Sequence, residues 1–496
     1  MTLDSPLFLF AFLPVVVVLY SFLNPRWRNI LVFIASLGFY LFGDPSATIM
    51  LLVLVIVNWG LGTGIKQLRA NHHQSSWLAG LAIAINLAAL AYFKYAAFAI
   101  GSLNALFKIT TLHLLPVPTV VPPLGISFIT FTAISYIVDI LRVDAEAYRN
   151  PFHTFVFLAL FPKVIAGPIT TFKSLAGLVF AREWGYRTAS NGGARFILGL
   201  AKKIIIADTI GITVNRIFDL PADQLTPLVA WAGAIGFTLQ LYFDFSGYSD
   251  MAIGLGGILG FRFIENFNYP YVSTSIRDFW SRWHISLTNW FREYLYIPLG
   301  GNRAGRLRTY GNLAIVFLVC GLWHGAKWTF VVWGAWHGLF MIIERIPWVL
   351  KLGKAVVQSA GNKCLHIFYP IKYCYAMLVV VIGWVIFRSS TLPQGLRYIQ
   401  TMFGHGDASA MAPLGWYMPN SVIIAIVAGC IFSFPISGHL LTTAKKVTAV
   451  IAARTTPTFS DTIAVTFCFI VLVLLLLLSV MMITTRGFQP FIYAQF

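Results

Sequence analysis

Two histidines, His324 and His337, lie inside the apolar stretch NLAIVFLVCGLWHGAKWTFVVWGAWHGLF, residues 312–340. A neutral imidazole is the least costly titratable side chain to bury, and it exchanges a proton near neutral pH. His324 also stands in the string GLWHG, whose glycines allow a second backbone or a thin ligand to approach closely. A single buried histidine is more often structural, but this context makes His324 a candidate general base and Trp323 a candidate wall of a substrate tunnel.

Cys320 and His337 are the rival residues of this stretch. Cys320 precedes His324 by one helical turn, a spacing at which a thiolate–imidazole pair and an acyl-cysteine intermediate are possible. A cysteine in an apolar helix is more often a small hydrophobic residue, and we favour that interpretation. His337 lies roughly 140° around an unbroken helix from His324. The two histidines therefore approach one ligand only if the helix breaks near 325–327, and a structural role is favoured for His337.

The segment 262–308 is basic and aromatic, with seven arginines, no lysine and three acids. Between residues 275 and 296 its apolar residues recur at three- and four-residue spacing, which predicts an amphipathic helix lying in the membrane interface. The apolar stripe consists of Ile276, Phe279, Trp280, Trp283, Leu287, Trp290, Phe291 and Leu295.

The arginines of this segment favour a second role, the binding of an acidic acyl donor on the cytoplasmic side. Planar guanidinium groups bind phosphates through paired hydrogen bonds. His284 lies beside the stripe, where the interfacial interpretation does not explain it, and is a second candidate for the chemistry. The candidate donor-binding residues are Arg277, Asp278, Trp280, Arg282, Trp283 and Arg292.

Several acids also lie within apolar runs, where an unpaired charge is costly. Asp244 and Asp250 flank a glycine in LYFDFSGYSDMAIG, which predicts an unwound element that lines a polar cavity. Functional and structural roles carry equal weight for these two acids. The glycine-rich stretch 247–262 and the proline-broken stretch 152–168 are predicted to be re-entrant, which is possible only where protein or water covers the backbone.

The composition places these residues in a membrane protein. Of 496 residues, 58% are hydrophobic and only 10% charged, and the mean hydropathy is +0.77, whereas soluble domains carry roughly a quarter charged residues. The net charge of +18 does not indicate nucleic-acid binding, since the basic residues lie in short loops; it fits anionic lipids and an acidic donor. Five cysteines without CxxC spacing predict no metal site.

The apolar runs predict an all-α polytopic membrane protein of about 11–13 spans, in one domain covering 1–496. It divides into N-terminal spans (1–120), a catalytic core (121–390) and C-terminal spans (391–496). The runs lie near 6–24, 29–46, 47–65, 77–100, 124–142, 196–217, 228–246, 312–347, 370–388, 421–441 and 462–483. Basic loops then lie on one side, the cytoplasm, if both termini are periplasmic. Their residues are Arg26, Arg28, Lys66, Arg69, Arg142, Arg149, Lys351, Lys354, Lys445, Lys446 and Arg454.

Seven strings of the sequence resemble the membrane-bound O-acyltransferase (MBOAT) family, in particular its bacterial alginate O-acetyltransferase branch. Together they extend over most of the chain from residue 123 to the end. They are PLGISFITFTAISYIVDI (123–140), FPKVIAGPI (161–169), LYFDFSGYSDMAIGLGGILGF (241–261), NYPYVSTSIRDFWSRWHISLTNWFREYLYIPLGGNR (268–303), GLWHGAKWTFVVWGAWHG (321–338), GWVIFR (383–388) and FIYAQF (491–496).

The resemblance implies transfer of an acyl group from a cytoplasmic thioester to a hydroxyl, in a helical body with a cytoplasmic funnel and a thin core. The family's invariant histidine maps onto His324 and its second polar residue onto His284. The branch acts on an exported polysaccharide, such as alginate or cellulose, with periplasmic partner proteins. A sister branch transfers D-alanine to teichoic acid from an acyl carrier protein.

We therefore expect an O-acetyltransferase of a bacterial inner membrane, with His324 as general base and His284 as its partner. The donor is acetyl-CoA or an acyl carrier protein thioester, and no tightly bound cofactor is expected. D-alanyl transfer is the alternative chemistry. The alternative class is a proton-coupled transporter, in which Lys202, Asp208, Asp244 and the histidines form a proton relay, or a scaffold of a secretion complex. The sequence lacks the internal repeats that many transporters show.

Overall fold

The computed structural model describes residues 1–110, 113–406, 413–435, 459–486, 489 and 491–492, and these form helices and turns without strands. The predicted basic residues Lys445, Lys446 and Arg454 and the last four residues of FIYAQF lie outside the described part. The first nine α-helices are α1 (Leu13–Phe22), α2 (Arg28–Gly43), α3 (Pro45–Ala70), α4 (Ser76–Leu90), α5 (Ala96–Ile109), α6 (Ile126–Arg142), α7 (Pro151–Leu158), α8 (Phe172–Leu175) and α9 (Tyr186–Ala201).

The second half of the chain continues in the same way. Its α-helices are α10 (Thr209–Phe218), α11 (Pro227–Ile258), α12 (Ile276–Arg282), α13 (Ile285–Phe291), α14 (Arg306–His324), α15 (Trp328–Ile343), α16 (Pro347–Arg388), α17 (Leu392–Met402), α18 (Asn420–Phe432) and α19 (Phe459–Arg486). Wider π-helical turns occur at Phe8–Phe12, Ala91–Tyr95, Lys202–Asp208 and Arg292–Tyr296, and 3₁₀ turns at Pro25–Trp27, Gly177–Val179, Pro270–Val272 and Leu414–Trp416.

Five helical stretches among the described residues are long and apolar enough to cross a membrane, which confirms the predicted class of all-α integral membrane protein. Each of the five coincides with an apolar run predicted from the sequence. The predicted total of about 11–13 spans also counts shorter helices, and it stays a prediction. The five are Pro45–Ala70, Ser76–Ile109, Pro227–Ile258, Tyr369–Arg388 and Val465–Thr485. In the most apolar 18-residue stretch of each helix, 78% of α11 is buried but only 17% of α19. Helix α11 therefore lies at the centre of the protein and α19 at its periphery.

Helix α11 is continuous through its glycines, so the predicted unwound element at 247–262 is wrong. The glycines serve close packing against α9 instead. A Cβ atom added to Gly199 would lie 2.5 Å from the carbonyl oxygen of Gly247, and one added to Gly254 would lie 2.6 Å from that of Gly192. Two pairs of glycines, each seven residues apart, thus bring the backbones of α9 and α11 into contact, as small residues do in membrane helices.

Gly192→Ala and Gly193→Ala make the same chemical change in adjacent positions of α9. A new Cβ at Gly192 would meet Gly254 O at 2.5 Å, whereas one at Gly193 has no heavy atom within 4 Å. We expect Gly192→Ala to lower the stability by about 1–3 kcal/mol through overpacking. Gly193→Ala should be neutral or stabilising, since alanine favours helix over glycine by roughly 0.5–1 kcal/mol. Thermal unfolding of the two purified proteins in detergent measures the difference, and equal midpoints would contradict the packing role.

The stretch 152–168 is a short helix followed by buried turns, as its prolines predicted. After α7 the chain turns through residues 159–170, which are all buried. Its backbone N–H groups are partly satisfied by hydroxyls: Phe161 donates to Ser36 Oγ at 3.2 Å and Ile169 to Ser286 Oγ at 3.0 Å. The irregular backbone is therefore covered by protein, the condition that membrane depth imposes.

Candidate functional site

Helices α14 and α15 form a tight hairpin that carries both histidines of the apolar stretch. Helix α14 ends at His324, residues 325–327 are not helical, and α15 begins at Trp328. A Cβ added to Gly321 would lie 3.3 Å from the Cα atom of Gly334, so glycines allow the two helices to touch. This interruption of the helix lies at residues 325–327, where a break was predicted to be necessary for His324 and His337 to approach one ligand.

His324 is buried in a cage of aromatic rings. Its side chain is in contact with Trp323, Trp333 and Phe387, at ring-centroid distances of 5.0, 4.8 and 5.6 Å. The indole of Trp333 also contacts His337, at 5.2 Å. The two histidines of the hairpin therefore contact the same indole, and both are buried.

His284 lies between α12 and α13 and points into the protein. Its φ of +44° is left-handed, a conformation that costs a non-glycine residue about 1–3 kcal/mol and is enriched at functional sites. The side chain is fully buried. Its ring contacts Phe245 at 4.7 Å and Trp323 at 6.0 Å, so Trp323 contacts both candidate catalytic histidines.

Asn266 determines which ring nitrogen of His284 carries the proton. Its amide oxygen accepts hydrogen bonds from the backbone N–H and the hydroxyl of Ser286, at 3.2 and 2.8 Å, and lies 3.1 Å from His284 Nδ1. Its amide nitrogen donates to Ser249 Oγ at 3.0 Å. Because a carbonyl oxygen only accepts, Nδ1 of the neutral imidazole carries the proton. Nε2 is then an acceptor, and it has no hydrogen-bond partner in the part of the chain that the structure describes.

The structure corrects the predicted amphipathic helix at 275–296. The chain forms two short helices, α12 and α13, and a π-helical turn, with the break at Trp283 and His284. Its aromatic stripe packs inside the protein and not against lipid: Phe279 and Trp283 are almost fully buried. The reason is the surrounding aromatic cluster, in which the Trp283 and Trp384 rings lie 4.9 Å apart.

The predicted donor-binding residues of this segment separate into three groups. Arg282 forms an ion pair with Asp278, with Nε 2.8 Å from Oδ1, and its charge is already compensated. Trp280 and Trp283 are buried. Arg277 and Arg292 are exposed, and these two guanidinium groups are the ones of the set that remain accessible to a ligand.

Asp244 and Asp250 are bound by different cations. Asp250 binds Arg195 at 2.8 Å and Lys202 at 2.6 Å. Asp244 lies 3.2 Å from Lys203 and accepts a hydrogen bond from the backbone of Ile492 at 2.9 Å. Both acids hold α11 to neighbouring segments, which supports the structural interpretation.

Two residues that the sequence analysis did not single out contact the end of α14. Lys94 donates to the backbone carbonyls of Trp323 and His324, and Tyr95 to that of Leu322. A lysine inside the apolar run 77–100 was the available signal, since charges at membrane depth are commonly functional. Asn266 had no such signal, because its partners lie on other segments.

Among the described residues, no group of three or more His, Cys, Asp and Glu side chains is arranged to hold a metal ion. The rings around the candidate base are the imidazole of His284, the indoles of Trp323 and Trp333 and the phenyl ring of Phe387. Two buried imidazoles on one indole suit the transfer of a proton in surroundings from which water is excluded.

The sequence is similar to known acyl-transferring proteins over its whole length. Residues 124–348 match the model of the MBOAT, membrane-bound O-acyltransferase, family. A probable alginate O-acetylase of Pseudomonas putida is 39% identical over 100% of both chains, and one of Pseudomonas aeruginosa is 42% identical over 82% of this chain and 75% of that protein. A peptidoglycan O-acetyltransferase of Helicobacter pylori is 34% identical over 82% of this chain and 80% of its own.

Proposed function

The chain belongs to the membrane-bound O-acyltransferase family, and we propose that it transfers acetyl groups from a thioester donor to hydroxyls of an exported polysaccharide such as alginate or cellulose. The O-acetyl-transferring relatives described above match four fifths or more of this chain, whereas the teichoic acid D-alanyltransferases similar to it match less than half, which favours acetyl over D-alanyl as the group transferred. The observation that carries the proposal is the pair of buried imidazoles, His324 and His284, which both contact Trp323.

In the proposed reaction His324 acts as the general base. A hydroxyl is a weak nucleophile until its proton is removed, so His324 accepts that proton while the hydroxyl oxygen attacks the thioester carbonyl carbon. The carbon–sulfur bond then breaks, and the leaving thiolate takes up the proton that His324 accepted, which restores the neutral base. The aromatic cage excludes water, which would otherwise hydrolyse the thioester.

His284 has the geometry of an orienting residue. Two roles are open to it, orienting the substrate or protonating the leaving thiolate. With its Nδ1 proton directed to Asn266, a neutral His284 presents only an acceptor at Nε2. It therefore accepts a hydrogen bond from a second hydroxyl of the acceptor and orients that molecule, since the proton of the attacking hydroxyl goes to His324, which supports the first role over the second.

The donor is acetyl-CoA or the thioester of an acyl carrier protein. Both carry phosphate groups, and the exposed guanidinium groups of Arg277 and Arg292 suit them. Arg282 is a weaker candidate, because Asp278 already pairs with it. Periplasmic partner proteins complete the proposed pathway to the polysaccharide.

The proposed location is a bacterial inner membrane, with both termini in the periplasm. The ends of α3 and α6 support this arrangement of the loops. Lys66 pairs with Glu146, and Arg69 donates to the carbonyl of Ile140 at 2.5 Å. The C-terminal ends of α3 and α6, with their basic residues, thus lie on the same side of the molecule, as the cytoplasmic placement of both requires.

The proposal is tested by the acetyl content of the polymer. Deletion of the gene should abolish O-acetylation of the exported polysaccharide, as measured by mass spectrometry, and the wild-type chain should restore it. Purified protein in proteoliposomes, given acetyl-CoA or an acetylated carrier protein in turn, identifies the donor. A polymer that keeps its acetyl groups in the deletion strain would overturn the proposal.

Cys320→Ser separates direct transfer from an acyl-cysteine route. Cys320 is buried one turn before His324. Serine is similar to cysteine in size but carries a hydroxyl in place of the thiol. We expect the variant to retain acetyl transfer within about threefold, since a buried cysteine normally acts as a small hydrophobic residue. Activity of the reconstituted protein measures this. A loss as large as that of His324→Ala would instead indicate a covalent acyl-enzyme.

A further inference from the structure

The last turn of α14 is held by side chains from the N-terminal part of the chain. The final carbonyl groups of a helix have no partners within it. Here Tyr95 Oη donates to the carbonyl of Leu322 at 2.6 Å. Lys94 Nζ donates to the carbonyls of Trp323 at 2.8 Å and His324 at 3.3 Å. Three successive carbonyls, ending with that of His324 itself, are thereby satisfied.

Lys94 is a half-buried cation whose hydrogen bonds, in the described part of the chain, all go to uncharged oxygens. Its third bond is to Ser127 Oγ at 3.2 Å, so the three donors of its ammonium group are all used. The C-terminal end of a helix carries a partial negative charge. The end of α14 is thus the feature that compensates the lysine, and the lysine in turn stabilises that end.

The two residues reach α14 from a π-helical turn, Ala91–Tyr95, between α4 and α5. Such turns are rare and occur frequently at functional sites. This one lies in a stretch that reads as a simple membrane span, and outside residues 124–348, the part that the family model matches. The N-terminal spans therefore contact the candidate site directly.

We propose that Lys94 and Tyr95 are positioning residues that fix the imidazole of His324. His324 is the last residue of α14, and Gly325 after it has extended backbone. A helix end without partners frays, and a displacement of roughly 1 Å at a reacting group costs about 10²-fold in rate. The inference rests on the proposed function only in taking His324 as the base.

The test uses the full-length protein in proteoliposomes and compares three variants with two controls. Tyr95→Phe removes one oxygen, Lys94→Met removes the charge and all three donors, and Lys94→Arg keeps the charge. The controls are Tyr92→Phe, whose side chain is 58% exposed in the same π-helical turn, and Lys108→Met, an exposed lysine of α5. Two quantities are measured, the kinetics with the acetyl donor and the rate at which diethyl pyrocarbonate modifies His324, read by peptide mass spectrometry.

We expect kcat to fall about tenfold in Tyr95→Phe and roughly 10²-fold in Lys94→Met, with KM for the donor changed by less than about twofold. Lys94→Arg should recover part of the loss. Modification of His324 should become several-fold faster in the impaired variants, while that of His337 in the same protein should not change. The two controls should behave as the wild type.

Unchanged kcat and unchanged labelling of His324 in a folded Lys94→Met protein would overturn the inference. If Lys94→Met does not fold, Tyr95→Phe decides, because it deletes a single atom and leaves the ring in place. A failure of the proposed function is distinguishable from a failure of this inference. In that case His324→Ala would remain active, while the labelling rate would still report whether Lys94 holds the end of α14.

Discussion

His324→Ala is expected to lower acetyl transfer by about 10²–10⁴-fold, the contribution of a general base. The loss should appear in kcat, since the imidazole acts in the transition state and not in donor binding. Residual activity reflects the positioning of donor and acceptor in the aromatic cage, which the substitution leaves in place. Radioactive acetyl transfer by the purified protein in proteoliposomes, at saturating donor, measures the effect.

His337→Ala is the matched control for this experiment. His337 is buried in the same hairpin and contacts the same indole, Trp333, so its removal leaves a comparable cavity. We expect a comparable loss of stability in both variants but a much smaller loss of kcat in His337→Ala. Equal kinetic losses would show that packing of the hairpin, and not proton transfer, explains the effect, and an active His324→Ala would refute the assignment of the base.

Lys203→Met is expected to have the largest effect on stability. Lys203 Nζ lies 2.7 Å from Asp208, 3.2 Å from Asp244 and 3.7 Å from Asp4, and also donates to the carbonyl of Gln489 at 3.1 Å. All four charged side chains are buried or nearly so. Removal of the one cation leaves three carboxylates without compensation, and breaking a buried pair in this way costs about 3–5 kcal/mol.

The adjacent residue provides the control for that prediction. Lys202 is partly exposed, and its partner Asp250 keeps a second cation, Arg195, when Lys202 is replaced. Lys202→Met should therefore lose less than about 1 kcal/mol. Thermal unfolding and the yield of monodisperse protein in detergent compare the two variants. A second substitution, Asp244→Asn, should recover part of the loss in Lys203→Met, and similar stabilities of the two lysine variants would refute the role of the buried cluster.

The lysine pair also shows why the sequence alone did not identify ion-pair partners. The string GLAKKIIIAD contains Lys202, Lys203 and Asp208 within seven residues, and helical spacing separates Lys202 from Asp208. The structure pairs Lys203 with Asp208 through a π-helical turn, and the other partners come from Asp4 and Asp244. A shift of one residue in the helical phase decides whether Lys202 or Lys203 faces Asp208. The local sequence pattern does not indicate this shift.

The glycines of α11 were misinterpreted for a related reason. A glycine inside an apolar run permits either an unwound backbone or close contact with a second helix, and both are physically sound. The choice depends on the neighbour. Gly192 and Gly199 of α9 face Gly247 and Gly254 at contact distance, and this neighbour was not visible in the pattern of α11 alone.

The sequence by itself determined the class of the molecule, the family and the candidate base. Apolar runs, sparse charge and a histidine in GLWHG depend only on composition and on residues close together in the chain. Only the tertiary structure decided what surrounds that base. Lys94 meets the carbonyl of Trp323 across 229 residues, and Asn266 orients His284 from a separate segment. Buried polar groups need hydrogen-bond or ion-pair partners, and several segments of the chain carry suitable ones. The packing of the helices determines which of these groups come into contact.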